Sequence, residues 1–339
     1  MTNFNLKNIF IFSLFFTFYE STLFAQEEAI EETVVISAKY PVPLSEVIGS
    51  VDSISLNDIN DRQVSDLKDL LDNTVGVNSS RSIYLGRSYN DSISIRGMGG
   101  RRVNLLVDGI RSGELYQGYG KDLVDTELLK RVEILKGPSS ALYGSDGLAG
   151  ALLYITKDPS DFAGPDDFYH AVNVGYDSDN NHQKLSYLAA SVGERAEALI
   201  QLTTRSLEET DLHDDASLDP NPFSADQESL FVKGKILLSD NLGLTLTIDS
   251  QESEGDWTIN SDIGSGGYPK VVATSSSLGD DDGSRDRVSL TLDFSAQSGM
   301  FDNGSFSIYT QDTDQRQVTN LSKAVVGNFV MGMRGPAFV

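Results

Sequence analysis

The second half of the chain is organised on a period of two. From Arg195 to Arg205 the even positions carry Ala196, Ala198, Ile200 and Leu202, while the odd ones include Glu197, Gln201 and Arg205. Leu242, Leu244, Leu246 and Ile248 alternate with Thr245, Thr247 and Asp249. Val288, Leu290, Leu292 and Phe294 alternate with Arg287, Ser289, Thr291 and Asp293, and Leu230, Val232, Ile236 and Leu238 alternate with Lys233 and Lys235. Successive side chains of a strand point to opposite faces. The dyad therefore predicts antiparallel strands with one apolar and one polar face.

The connections alternate as well. They are tight around Gly193 and at Ser239-Asp240-Asn241, but long, acidic and rich in Gly, Ser and Asp over 206–227 and 251–284. Short turns at one end and long loops at the other are the pattern of a transmembrane β-barrel. A soluble β-sandwich also alternates, without such one-sided loops behind an export signal.

Upstream the period of two is lost. Residues 46–161 read as a compact α+β domain of roughly a hundred residues. VDSISL, SISIRG, RVNLLVDG and LLKRVEILKG are strand-like, the last three closed by Gly, and a Gly-rich stretch ends in the apolar strand ALLYIT. Ser65 is placed as the N-cap of a short helix through Leu67, Leu70 and Leu71. Residues 26–45 are acidic and then extended, with β-branched Val34, Val35 and Ile36 followed by Pro41 and Pro43. Residues 1–25 read as a cleaved signal peptide: Lys7 gives the positive start, Ile9–Phe18 an apolar run too short to span a bilayer, and Ala25 the cleavage position.

Charge and composition narrow the function. The net charge is -24, from 26 Lys+Arg against 50 Asp+Glu, which disfavours binding to nucleic acid phosphates. There are no cysteines, so disulfides, cysteine-ligated zinc, Fe–S clusters and a lipoprotein anchor are excluded. Gly137-Pro138-Ser139-Ser140 lacks both the GK[ST] ending of a phosphate loop and the spacing of a nucleophile elbow. Ser139 and Ser140 with distant His213 make no hydrolase triad, so no enzyme activity is expected.

Four motifs stand in order along the tail and the first domain. They are Glu32-Thr33-Val34-Val35-Ile36-Ser37-Ala38, then Ser94-Ile95-Arg96-Gly97, then Leu106-Val107-Asp108-Gly109, then Arg131-Val132-Glu133-Ile134-Leu135-Lys136-Gly137-Pro138 with Ala141-Leu142-Tyr143-Gly144. In these the chain resembles the TonB-dependent outer-membrane receptor family, and within it the haem and haemoglobin receptors. The resemblance implies an α+β plug domain followed by the first strands of a transmembrane antiparallel β-barrel, 22-stranded in the family and incomplete here. The domains are then a signal peptide (1–25), a periplasmic tail with a TonB box (26–45), the plug (46–161) and the N-terminal part of the barrel (162–339). About seven strands fit this segment, so a chain roughly twice as long is expected.

The resemblance also implies import of an iron compound, haem or a ferric siderophore, across the outer membrane. The alternatives are an outer-membrane binding or adhesion protein without transport, and import of a non-iron ligand such as cobalamin or a glycan. Glu32–Ala38 is β-prone and suited to adding a strand to the sheet of a TonB-type inner-membrane protein; the plainer alternative is an inert linker. Arg96 and Arg131 are the positions expected to pair with acidic residues of the barrel wall, with Glu133 as a local partner, or else to be solvated strand ends. Other expected partners are outer-membrane lipid but no nucleic acid, and the protein is expected to be a monomer without a resident cofactor.

Of the three histidines, His170 shares parity with Val172 and Val174 and is expected to face lipid or the periplasmic rim. His182 is assigned to the first outer loop, and His213 in the long outer loop is the candidate axial ligand for haem, or a solvated loop histidine. Asp211, Asp214 and Asp215, and Asp280, Asp281 and Asp282, offer oxygen ligands for Ca²⁺ or form solvated acidic loops.

Overall fold

A computed structural model describes residues 34–35, 42–47, 49–79, 93–112, 124–164, 167–209, 221–266, 270–295 and 303–328. The signal segment, Glu32, Thr33, Ile36, Ser37, Ala38, His213, Asp211, Asp214 and Asp215 lie outside the described residues. Among the described residues no helix is long and apolar enough to cross a membrane.

The described residues begin with a two-stranded pairing of β1 (Val34–Val35) with β2 (Val42–Pro43). β3 (Val51–Ser55) leads into α1 (Leu56–Asp61), a helix not expected from the sequence. Ser55 and Asp58 form a capping box: the Asp58 amide donates to Ser55 Oγ at 3.2 Å and the Ser55 amide to Asp58 Oδ2 at 2.8 Å. α2 (Leu67–Leu71) is capped by Asp66, not Ser65. The Asp69 amide donates to Asp66 Oδ1 at 2.8 Å, and the Ser65 hydroxyl binds Asp69 instead, so the acid one residue later takes the cap.

β4 (Val77–Ser79), β5 (Ile93–Ile95) and β6 (Met98–Gly99) form a small antiparallel sheet. β7 (Val103–Val107) and β8 (Ile110–Arg111) are a hairpin closed by Asp108-Gly109, with φ of 49° and 79°. Two consecutive positive φ values define the tight turn that matches strand twist, and Asp-Gly supplies them at least cost. β9 (Leu129–Lys136), α3 (Ser140–Tyr143) and β10 (Gly150–Thr156) complete a sheet ordered β3-β9-β10-β7-β8. Among the described strands of this sheet, only β10 and β7 run parallel. Central β10 is buried on both faces. Leu152 and Tyr154 join Leu70, Leu71, Ile95, Leu129, Val132 and Ile134 on one side, while Ala151, Leu153 and Ile155 meet Leu106 and Tyr143 on the other. Each such apolar side chain contributes roughly 1.5–3 kcal/mol. Gly150 is obligatory, since a Cβ there would lie 2.1 Å from the Leu135 carbonyl oxygen.

The second half is an antiparallel meander: β11 (Asp167–Asp177), β12 (His182–Val192), β13 (Ala196–Glu208), β14 (Phe223–Ser239), β15 (Leu242–Thr258), a short β16 (Gly264–Gly266), β17 (Lys270–Ser295) and β18 (Asn303–Asn328). Register builds continuous rows across the wall. Ala196, Ile236, Leu244, Leu292 and Phe306 align on the outer face, and Gln201, Phe231, Asp249, Arg287 and Gln311 on the inner. The outer face is apolar and exposed, including Val172, Val174, Ile200, Leu202, Leu246, Val288 and Leu290. The alternation in the sequence thus gave the correct sidedness, with lipid-type residues outward.

Strand length departs from expectation. Residues 251–284 are strand for most of their length, because β15 runs to Thr258 and β17 begins at Lys270. Strand pairing uses main-chain groups, so the polar Ser, Gly and Asp positions continue the ladder beyond the apolar band. For the same reason His182 is the first residue of β12 and not part of a loop.

Candidate functional site

The wall turns a cationic face to the plug, and the plug meets it with acids. Asp125 caps the 3-10 turn Thr126–Leu128 and accepts a backbone bond from Glu127 at 2.8 Å. Its carboxylate also takes Arg205 of β13 at 2.5 Å and the Ser229 hydroxyl of β14. Glu127 pairs with Lys184 of β12. Asp158, which caps the turn Pro159–Asp161, binds Lys233 at 3.1 Å and Lys235 at 2.7 Å from β14, and Lys130 from its own domain. Lys233 also donates to Thr156 Oγ1 at 2.7 Å.

The Asp108-Gly109 turn docks on the same wall. Asp108 accepts from the Thr156 amide and hydroxyl at 2.9 and 2.6 Å, which locks β7 to β10. Arg287 of β17 donates to the Val107 carbonyl at 3.1 Å. An apolar patch seals the interface: Leu128 and Phe162 pack with Leu188, Ala190, Leu199 and Phe231 of the wall. Arg205, Lys233 and Arg287 are all within a few per cent of full burial, so these are desolvated contacts and not surface ion pairs.

The plug carboxyls feel this environment. Burial alone would raise Asp125, but the Arg205 charge and bonds from Arg205, Ser229 and the Glu127 amide hold it below the ordinary carboxylate value. Burial is likewise outweighed at Asp158, where Lys233, Lys130 and Lys235 hold the acid well below its usual range. Lys130 is raised: burial opposes its charge, but Asp158 and Asp161 prevail. Lys157 differs. Burial lowers it more than the nearby Glu127 and Asp125 charges restore, and its Nζ lies 5.6 Å from the Phe162 ring centroid.

Of the expected ionic contacts, the local pair of Arg131 with Glu133 forms, and the described plug-to-wall pairs have the opposite polarity, with acids on the plug and cations on the wall. Arg131 pairs with Glu133 at 3.0 Å within β9, and neither reaches the wall among the described residues. The sheet turns this pair into the plug's own interior, where Glu133 is fully buried. Arg96 is exposed and holds a positive φ of 51°; its backbone amide binds the Gly76 carbonyl at 2.7 Å, so the position serves a turn. Among the described residues, charged groups of the plug that bind the wall are Asp125, Glu127 and Asp158. No motif marks them. The wall cations were legible, since Arg205, Lys233 and Arg287 occupy polar-face positions of the dyad in an otherwise acidic chain.

The other candidates divide. Of the coupling segment, Val34 and Val35 form β1. Asp280 and Asp282 face one side of β17 and bind Arg316 at 3.5 and 2.6 Å, while Asp281 is buried on the opposite face. Alternation along a strand therefore separates the three acids, and among the described residues no cluster of metal-type ligands forms. His170 is exposed on the outer face beside Phe168, with ring centroids 5.8 Å apart. His182 is buried on the inner face at the top of β12.

A strand wall with an apolar outside, seated by ion pairs on an α+β domain within it, defines a plugged outer-membrane β-barrel. Residues 43–151 match the family model described as the TonB-dependent Receptor Plug Domain, and the receptors of that family are located in the outer membrane. It is 37% identical over 160 residues to a vitamin B12 transporter of Vibrio vulnificus (strain CMCP6), covering 47% of this chain and 25% of that one. It is 27% identical over 201 residues to a probable hemoglobin and hemoglobin-haptoglobin-binding protein of Haemophilus influenzae, covering 55% of this chain and 18% of that one. The ferric yersiniabactin uptake receptor of Yersinia pestis shares the fold, with a TM-score of 0.54 at 15% identity over 81% of this chain and 50% of that one. The chain thus spans a quarter or less of the length of these curated relatives.

Proposed function

We propose that this chain is the gate and coupling portion of an outer-membrane importer that carries an iron compound, haem or a ferric siderophore, into the periplasm. Members of the family are receptors and transporters rather than enzymes. The observation that carries the reading is the seat of the plug: Asp125, Glu127 and Asp158 held by Arg205, Lys184, Lys233 and Lys235 of the wall. Such a seat closes a pore yet consists of polar contacts that can be exchanged for others as the plug shifts. The cargo is a passenger, and no resident cofactor is proposed.

Energy reaches this gate through Glu32–Ala38, which adds a strand to a TonB-type protein of the inner membrane. The protein is exported with cleavage after Ala25, faces lipid with its apolar rows and acts as a monomer. His213 would serve as a haem ligand in the outer loop. A second reading, import of cobalamin, is favoured by the vitamin B12 transporter among the relatives.

The test is energised uptake of radiolabelled haem and ferric siderophore by cells expressing the full receptor. Ile36→Pro removes one backbone donor from the added strand. It is expected to leave binding intact and abolish uptake. Uptake at the wild-type rate would overturn the coupling role.

A further inference from the structure

Arg285 and Arg287 stand two positions apart on β17, so both turn to the inner face. They share one carboxylate: Arg285 Nη2 donates to Asp249 Oδ2 at 2.7 Å and Arg287 Nη2 donates to the same oxygen at 2.9 Å. Asp249 also accepts from Gln251 Nε2 at 3.1 Å. Both guanidinium side chains are buried, at 1% and 2% exposed. A buried cation is costly unless its N–H groups meet acceptors. Here they do not. Arg287 spends Nη1 on the Val107 carbonyl, but among the described residues its Nε has no partner, and Arg285 Nε and Nη1 both lack one.

Two guanidiniums against one carboxylate leave a surplus of positive charge and three unmatched donor nitrogens. The rest of the inner face shows the same bias. The buried charged residues of the wall are Arg205, Lys233, Arg285 and Arg287 against Asp249 and Asp281, in a chain whose net charge is -24. Plug carboxylates pair directly with Arg205 and Lys233, whereas among the described residues none forms an ion pair with Arg285 or Arg287, Asp125 acting on Arg285 only as a more distant charge. A channel lined by one sign of charge concentrates the opposite sign.

We propose that Arg285 and Arg287 form an anion-binding subsite on the lumen wall, which takes anionic oxygens of the cargo as it passes the plug. The inference rests on the import reading and adds the charge class of what is imported. Guanidinium donors suit carboxylate or other oxyanion groups through charge-assisted hydrogen bonds.

The test uses the full receptor and four probes. Haemin and a ferric catecholate are the anionic pair; cyanocobalamin and Cu²⁺ are the controls. Arg285→Gln is expected to weaken binding of at least one anionic probe about tenfold, and Arg285→Lys, which keeps the charge, about threefold or less. Asp249→Asn frees both guanidiniums and is expected to tighten anion binding, a gain that mere damage to the wall would not give. Heat-modifiable migration on a gel reports folding; if Arg285→Gln does not fold, Asp249→Asn decides. No binding of either anionic probe, unchanged affinity in folded Arg285→Gln, or weaker binding in Asp249→Asn overturns the proposal. Energised uptake of cyanocobalamin or Cu²⁺ alone, lost on deleting Glu32–Ala38, would preserve the import reading and sink this one. Anion binding with no dependence on that segment would do the reverse.

Discussion

The Arg205 guanidinium and the Asp125 carboxylate meet at 2.5 Å with side chains 1% and 0% exposed, which joins strand β13 of the wall to the plug. Neither charge has water to fall back on. Asp125→Asn should therefore leave a buried unmatched cation and weaken the seat by roughly 3–5 kcal/mol. Thermal unfolding and protease sensitivity of the plug measure this. The double variant Asp125→Leu with Arg205→Met should recover most of the loss, because an apolar pair of similar size carries no desolvation cost.

Acid should release the plug only well below the ordinary carboxylate range. Asp125 and Asp158 are both lowered in the folded state. A depressed carboxyl adds stability above its unfolded value, about 3.9, and loses it as pH falls through the folded value. Lys130 is raised, so its contribution is complete below its unfolded value and fades only as alkaline pH passes the folded one. Protease protection of the plug should thus hold from mild acid into alkaline solution. Its loss between pH 5 and 6 would contradict this expectation.

Lys157 should behave in the opposite sense. Its folded value is depressed by burial, so folding is opposed by its charge until pH rises toward the unfolded value. Lys157→Met keeps the stem against Phe162 and removes the buried ammonium. A gain of about 1–2 kcal/mol is expected, read as a higher Tm in detergent. A lower Tm would show that Glu127 and Asp125 need this cation.

Two glycines offer a graded comparison. Gly150→Ala places a Cβ 2.1 Å from the Leu135 carbonyl oxygen at a φ of 152°, and should prevent the plug from folding. Gly109→Ala has open space around it and strains only a φ of 79°, a cost of about 1–2 kcal/mol. Circular dichroism and protease sensitivity separate the two outcomes.

Much of this architecture was legible from residue order. The alternation of Leu242, Leu244, Leu246 and Ile248 with Thr245, Thr247 and Asp249 fixes both strand and sidedness, because each strand has one wet and one greasy face. Asp108-Gly109 announced its hairpin through turn chemistry. The ends of the strands were hidden, since the pairing of Gly279–Asp282 needs only main-chain groups and leaves no hydrophobic trace. α1 was hidden for a related reason: six residues with one buried side chain, Ile59, give no helical stripe. The polarity of the seat was hidden most completely. Which carboxylate meets Arg205 depends on where distant Asp125 lands, and sequence spacing carries no record of a contact across eighty residues.

β17 has 26 residues, and at about 3.3 Å each it is far longer than a tilted crossing of roughly 30 Å of hydrocarbon requires. Its unbroken outer apolar row runs from Val288 to Phe294, with Phe306 and Ile308 beside it; farther along, Leu278 stands apart among polar neighbours. The remainder rises clear of the lipid as a polar parapet, carrying Asp280 and Asp282 bridged to Arg316 on its outside. On the importer reading, a large ligand arriving from outside would touch that rampart before it touched the bilayer.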